Sequence, residues 1–342
     1  MPTLKEVARL AQVDPSTVSR VLNNDQNLNV RAETRARILD AVKKLNYKPN
    51  GIARSLRLRT SNTFGVLVPD IANPFFPEII KGAEAAASAQ GYHLILCNTN
   101  EDKDKEKAFL RVFSEKRVDG LIIATASITD EVIDQLDQEG KCYVLINRAT
   151  RATLGRYVLV DNVMGALEAV EHLIDLGHQK IAFLSGPLYT QTALGRLEGY
   201  RSALQKRKIP FDLKVIREGR YYEEDGYTNM LDILKTDIHP TAVFCANDLM
   251  ALGALAAIKE AGLSVPADIS LVGFDDIPQV QRCDPPLTTV RVPLYQMGHI
   301  AVEMLLKIVR KEPLDQDKVL LNPELVTRRS TASLPAELMV QC

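Results

Sequence analysis

The sequence has no tryptophan and only five cysteines in 342 residues. Cys97, Cys142, Cys245, Cys283 and Cys342 show no paired spacing, so neither a disulfide framework nor a CxxC metal site is indicated, and reduced thiols are expected. Apolar runs of bilayer-spanning length are also missing. The opening MPTLKEVARLAQV carries Lys5, Glu6 and Arg9 where an export signal needs an uninterrupted apolar stretch. A cytoplasmic protein with no membrane partner is therefore expected. GxGxxG, GxxxxGK, HExxH and GxSxG are absent, which removes the usual support for dinucleotide, phosphate-loop, zinc-hydrolase and serine-hydrolase chemistry. His172 and His178 stand six apart and cannot face one metal from one helix, so core or helix-end roles are expected and no cofactor or metal is predicted. The chain reads as a non-enzyme.

Net charge is lacking too, at -1, but this conceals a split. Residues 1–60 hold twelve Lys/Arg against five Asp/Glu, giving +7, while the remaining thirty basic and thirty-eight acidic residues give -8. Basic charge gathered at one end points to a polyanion partner for that end, the plainer alternative being a solvated basic helical face. The length suggests two or three domains, each large enough to bury its own core.

Within the basic end, Thr3 and Glu6 form a capping box, and Leu4, Val7, Ala8 and Ala11 share a helical face. Asp14 and Pro15 suit the start of a second helix, running to about Asn23 with Val18, Val21 and Leu22 inward. Ala32 to Leu45 reads as a third, with Ile38, Val42 and Leu45 inward and Asn46 and Pro49 ending it. The short first turn sets the second helix steeply across the first and exposes Ser16, Thr17, Ser19 and Arg20. That is helix-turn-helix geometry, in which such side chains meet base edges in the major groove of double-stranded DNA. Residues 49–60, PNGIARSLRLRT, are too short to hold a helix alone. Ile52, Ala53 and Leu56 share a face while Arg54, Arg57 and Arg59 supply charge, so the segment should order only against a partner copy and DNA. A flexible basic linker is the alternative.

VARLAQVDPSTVSRVLN followed by LNYKPNGIARSL resembles the headpiece and hinge of the LacI family. The resemblance implies that Pro15 and Ser16 choose the operator, that Ser19 and Arg20 contact DNA, and that Leu56 is a wedge opening a minor-groove step. Thr3, Thr17, Asn23, Arg31, Asn50, Ala53 and Arg54 complete the candidate DNA-facing set. The Asp14-Pro15 pair departs from the small hydroxyl residues of many members, so the operator sequence does not carry over.

From Phe64 onward GVLVP, HLILC, GLIIA, YVLI, KIAFL, TAVFC and ISLVG alternate with helical stretches, which predicts α/β architecture with parallel sheets. Changes of rhythm near Val158–Asn162 and Leu287–Pro293 suggest two lobes joined by several crossings. A ligand would then lie between them at the carboxyl ends of strands. The strand-end candidates are Asn73, Phe75, Phe76, Asn147, Arg148, Arg196, Tyr221, Asn247 and Asp275, a mixture of aromatic plates with forked donors and acceptors suited to a sugar. Singly, Asp248 reads as a helix N-cap, Asp276 as a turn residue and Phe76 as core.

This part resembles the LacI-family core and its relatives, the periplasmic ribose-binding proteins. The resemblance implies an all-α helix-turn-helix headpiece plus an α/β periplasmic-binding-protein-like core of two parallel-sheet lobes. The expected limits are a headpiece at 1–49, a hinge helix at 50–60, a first lobe at 61–161 and 291–323, a second at 162–290 and 324–330, and a tail at 331–342. Asn147 stands where the sugar binders usually have Asp, and Val292 where many have Gln. The implied function is a DNA-binding repressor, controlled by a small-molecule effector, most simply a neutral sugar. A nucleoside or purine, or a phosphocarrier protein, is the alternative within the family. TASLPAELMVQC lacks a leucine heptad, so a homodimer is expected. A transported sugar-binding protein would leave the headpiece unexplained, and a carbohydrate enzyme using Asp275 and Asp276 would lack an opposing carboxylate.

Overall fold

The computed structural model describes residues 2–22, 28–47, 60–116, 118–151 and 156–334, and these divide into two units, Met1–Ser61 and Asn62–Cys342.

In the first unit, α1 (Leu4–Ala11), α2 (Pro15–Leu22) and α3 (Ala32–Lys44) enclose Val7, Ala8, Ala11, Val18, Val21, Ile38 and Ala41. The Thr3 N–H and hydroxyl donate to the Glu6 carboxylate at 2.6 and 3.1 Å, and the Glu6 N–H returns to the Thr3 hydroxyl at 3.3 Å. This closes the capping box. Asp14 starts α2: its carboxylate accepts the Ser16 N–H at 2.7 Å, and hydrogen bonding from the Ser16 side chain, then its amide, holds its pKa below the usual carboxylate value. Its carbonyl takes the Thr17 and Val18 amides. Along α3, Ile38 and Ala41 are central, whereas Val42 and Leu45 lie partly buried at the rim.

The second unit contains two six-stranded sheets. The first runs β11-β5-β4-β3-β1-β2 and is parallel throughout, with β1 at Thr63–Val68, β2 at His93–Asn98, β3 at Gly120–Ile123, β4 at Tyr143–Ile146, β5 at Tyr157–Val160 and β11 at Lys318–Leu321. The second runs β12-β10-β9-β8-β6-β7, with β6 at Ile181–Ser185, β7 at Ile216–Glu218, β8 at Ala242–Cys245, β9 at Ser270–Asp275, β10 at Thr288–Arg291 and β12 at Glu324–Val326. Only β12 is antiparallel to its neighbour. Central strands such as β3, β4 and β8 are wholly buried, which is why they read as unbroken aliphatic runs. HLILC, by contrast, is an edge strand that leaves Ile95 and Leu96 exposed.

Among the described residues, eight longer helices flank the sheets: α4 (Phe75–Ala89), α5 (Lys103–Lys116), α6 (Glu131–Gln138), α7 (Asn162–Asp175), α8 (Gln191–Lys206), α9 (Glu223–Leu234), α10 (Asp248–Glu260) and α11 (Leu294–Arg310). α4 and α11 touch backbone to backbone, because a side chain at Gly82 would strike the Tyr295 carbonyl and one at Gly298 the Ile79 carbonyl. Gly226 and Gly253 do the same for α9 and α10, so the two lobes repeat one packing device. The chain passes between the sheets three times: from β5 into α7, from β10 into α11, and from β11 to β12. Arg291, placed by the sequence at the start of the returning first-lobe segment, is the last residue of β10 in the second sheet.

Candidate functional site

On the headpiece, α2 begins at Pro15 and presents Ser16 and Arg20 to solvent, with Thr17 and Ser19 half-buried beside them. Rigidity comes from the Val18 and Val21 anchors on the opposite side. Arg31 is exposed at the N-cap of α3. The Thr3 hydroxyl is engaged by Glu6, so its first role is to hold α1 in shape. Asn23, Asn50, Ala53, Arg54 and Leu56, with the hinge segment as a whole, lie outside the described residues.

In the core, one cleft of about 490 Å³, counting its open mouth, is lined by all nine strand-end candidates. Most arrive from a strand end or the turn beyond it, whereas Phe75 and Phe76 open α4 and Arg196 lies within α8. Asn147 and Arg148 follow β4, Asn247 follows β8, and Asp275 closes β9. Asn147, Tyr221 and Asp275 all have positive φ, at 60°, 71° and 119°, a departure from favoured backbone that recurs where a side chain must be aimed.

Arg196 is buried and held on three sides. Its Nε donates to the Asn162 side chain at 2.8 Å, its Nη1 donates to the Ala246 carbonyl, and its plane lies 3.8 Å from the centre of the Phe274 ring. Its Nη2 is 3.7 Å from Asp275, close enough to attract but too long for a hydrogen bond. Burial pushes the Asp275 carboxyl up to about 7, against the opposing pull of Arg196. Arg148 forms a fork with Glu101 at 2.9 and 3.2 Å. Burial opposes its charge, and the Glu101 carboxylate outweighs that and holds its pKa above the ordinary value.

Three buried polar atoms at this cleft have no hydrogen-bond partner among the described residues: Asn147 Oδ1, Asp275 Oδ1 and Arg148 Nε. Buried groups left so cost free energy until a ligand or water meets them. Tyr221 fills the space over Gly186, meets Thr192 through its hydroxyl at 3.0 Å, and has the Arg148 and Arg196 guanidinium groups 6.0 and 5.9 Å from its ring centre. Phe75 and Phe76 meet edge to face, and Phe76 serves the core as well as the wall. Two candidates are largely committed to backbone. Asn73 accepts the Phe75 N–H, while Asn247 accepts the Met250 N–H and donates to the Tyr221 carbonyl.

Asp248 is not the N-cap that its position suggested. Asn247 takes that place, and Asp248 is fully buried, accepting from the Ile277 N–H at 2.8 Å and the Thr289 hydroxyl at 2.5 Å. Burial, then the nearby Asp275 charge, pushes its pKa well above the usual value. His172 ends α7 against Thr331, and His178 is buried between Thr241, Ser270 and the Ala332 carbonyl. No group of metal-ligating side chains occurs among the described residues. The strand-end pattern in the sequence did not bring out Pro69, Asp70, Glu101, Thr192, Arg220 and Tyr222, which also line the cleft. Asp70 and Glu101 lie just beyond β1 and β2, so the strand-end criterion applied evenly would have found them; Thr192 gave no comparable signal.

The profile described as "Bacterial regulatory proteins, lacI family" matches residues 3–50, and that of a periplasmic binding protein-like domain matches residues 170–331. An HTH-type transcriptional repressor PurR of Proteus mirabilis is 38% identical over 338 residues, covering 98% of each chain. The chain belongs to the lacI family. Its solved relatives include a lac repressor dimer bound to operator and the anti-inducer ONPF, with TM-score 0.87 and 32% identity over 97% of this chain and 99% of that one. A CelR–cellobiose complex has TM-score 0.75 and 30% identity over 96% and 100%. Like the PurR and lac relatives, the lacI-family chain is a DNA-binding transcriptional repressor, and it is not an enzyme. Among the described residues, no helix is long and apolar enough to cross a membrane.

Proposed function

We propose that this lacI-family repressor works in the cytoplasm as a homodimer on a pseudo-palindromic operator, with its affinity set by a neutral sugar held between the core lobes. The observation that carries the effector class is the trio of unsatisfied atoms. Asn147 Oδ1 and Asp275 Oδ1 are acceptors awaiting donors, while Arg148 Nε is a donor awaiting an acceptor. Neighbouring hydroxyls both donate and accept, and so answer all three at once. The aromatic faces of Phe75, Phe76 and Tyr221 suit the C–H side of a sugar ring. Charge in the lining balances, with Arg148, Arg196 and Arg220 against Asp70, Glu101 and Asp275, which favours a neutral ligand over a phosphorylated one. The cellobiose held by the CelR relative supports the same class. The Tyr221 ring, an aromatic plate in the cleft lining with two guanidinium groups about 6 Å from its centre, favours a second reading, a nucleoside or purine, whose base would stack there.

For DNA, the reading rests on Ser16 and Arg20 presented outward from α2. Two headpieces would meet two half-sites while the 50–60 segments order together in the minor groove, with Leu56 as the wedge. A coupling of ~1–3 kcal/mol between effector and operator would change affinity by roughly 5–150-fold. The test is thermal unfolding of the full chain against pentoses, hexoses, disaccharides, nucleosides and purines. At one hundred times its dissociation constant, a ligand adds ~2.7 kcal/mol, enough to raise the midpoint by several degrees. A rise with a sugar supports the main reading, a rise with a purine or nucleoside only moves it to the second, and silence across the panel overturns both.

A further inference from the structure

The turn after β9 carries two successive non-glycine residues with positive φ, Asp275 at 119° and Asp276 at 60°. Asp275 faces the effector cleft. Asp276 turns the other way, and its buried carboxylate accepts from two arginines, the Arg328 guanidinium at 2.6 Å and the Arg291 Nε at 2.8 Å. Arg291 ends β10, just before the chain leaves the second lobe for α11. Arg328 follows β12, which begins two residues after the chain returns from β11. Arg328 also donates to the Leu287 carbonyl at 2.8 Å, and Arg291 reaches Glu324 at 3.2 Å. Beneath the turn, Asp248 pins the Ile277 N–H and the Thr289 hydroxyl. The Val292 N–H, at the crossing itself, approaches the Asp275 carbonyl at 3.5 Å.

We propose that Asp276 is a positioning residue that couples the effector-facing Asp275 to two of the three connections between the lobes, by gripping Arg291 and Arg328 at once. This rests on the effector cleft assigned above. Lobe rotation must be absorbed by dihedral changes at the ends of the connecting segments. The carboxylate and Arg328 are both largely buried, so parting them leaves desolvated charge poorly paired, while the half-exposed Arg291 supplies the second, weaker hold. A ligand that draws on Asp275 therefore moves its strained neighbour, and with it the second-lobe ends of both connections. Without Asp276 the connections would pivot independently and the cleft would open more often.

One hydrogen bond far from the turn reports that opening. Across the mouth, the Ile128 N–H of the first lobe donates to the Tyr189 carbonyl of the second at 3.1 Å. Hydrogen exchange followed by mass spectrometry on the full chain, with no small molecule added, tests the proposal. Asp276→Asn should speed exchange of the 126–130 segment about fivefold, together with the local segments 274–278, 287–293 and 324–329. Arg328→Lys keeps the charge but loses the fork, and should do the same; it carries the comparison if Asp276→Asn does not fold. Glu324→Gln, which alters only the exposed rim contact of Arg291, should leave 126–130 unchanged. Acceleration confined to the local segments, or an equal effect from Glu324→Gln, would overturn the clamp and leave Asp276 a local structural residue. A silent ligand panel sinks the sugar reading without altering this result, and a flat 126–130 segment sinks the clamp without touching the sugar reading.

Discussion

The headpiece and the core use polar residues in opposite ways. On the headpiece, the polar side chains proposed to act are outside, on a helix held by seven small or branched apolar residues within forty positions of one another. In the core, they are inside, drawn from positions as far apart as Asn73 and Asp275, and several are unsatisfied. An exposed polar residue costs nothing while it waits for a partner, whereas a buried one stores a penalty that only the right partner relieves. Selectivity for a small molecule therefore suits the buried arrangement, and contact with a large polyanion suits the exposed one.

The comparison breaks most sharply at Arg196. Arg196→Met should weaken effector binding about 100-fold or more, because Asp275 is left buried without its counter-charge, while operator binding by the headpiece persists. Calorimetry with the panel ligand and gel shifts on the same preparation separate the two. Loss of both activities together would mean that the regions are not independent. Next in size, Arg20→Ala should cost ~1–3 kcal/mol of operator affinity, read on sequences selected from a random pool, with effector binding unchanged. If selectivity survives and only salt dependence falls, Arg20 holds phosphate rather than a base.

Thr3→Ala tests the scaffold. Loss of the capping box should destabilise the headpiece by about 1 kcal/mol, seen in urea unfolding, with the core transition in place. The remaining test concerns pH. With its folded pKa raised to about 7, above an unfolded value of about 4, Asp275 keeps its proton longer in the folded chain. Its contribution to stability is therefore present below pH ~4 and is lost as pH rises towards ~7. Across that window, the wild-type melting temperature should fall relative to Asp275→Asn, which has no such proton. A constant difference from pH 4 to 7 would show that Arg196 keeps Asp275 ionised throughout.

Much of the fold and the cleft is legible in the order of residues alone. The Thr3–Glu6 capping box, the Asp14–Pro15 start of α2 and the Val18–Val21 stripe are relations within four residues, so local spacing is enough to find them. The aliphatic runs that form β3, β4 and β8 are legible because a strand buried on both faces needs no polar alternation. The strand-end rule also recovers nine residues of the cleft lining. It misassigns Asp248, where neighbouring Asn247 and Asp248 could each cap a helix and only the depth of burial decides between them.

By itself the sequence determined the order of elements, the basic helical end and the kinds of side chain at strand ends, because these depend on local period and chain connectivity. Only the tertiary structure decided which partners those side chains take. It paired Arg148 with Glu101, left Asn147 Oδ1 and Asp275 Oδ1 open, and set Asp276 between Arg291 and Arg328. The reason is physical: a charge or hydrogen bond acts over a few ångströms, and the residues that meet here are brought within that range only when the sheets have formed and the chain has crossed between them.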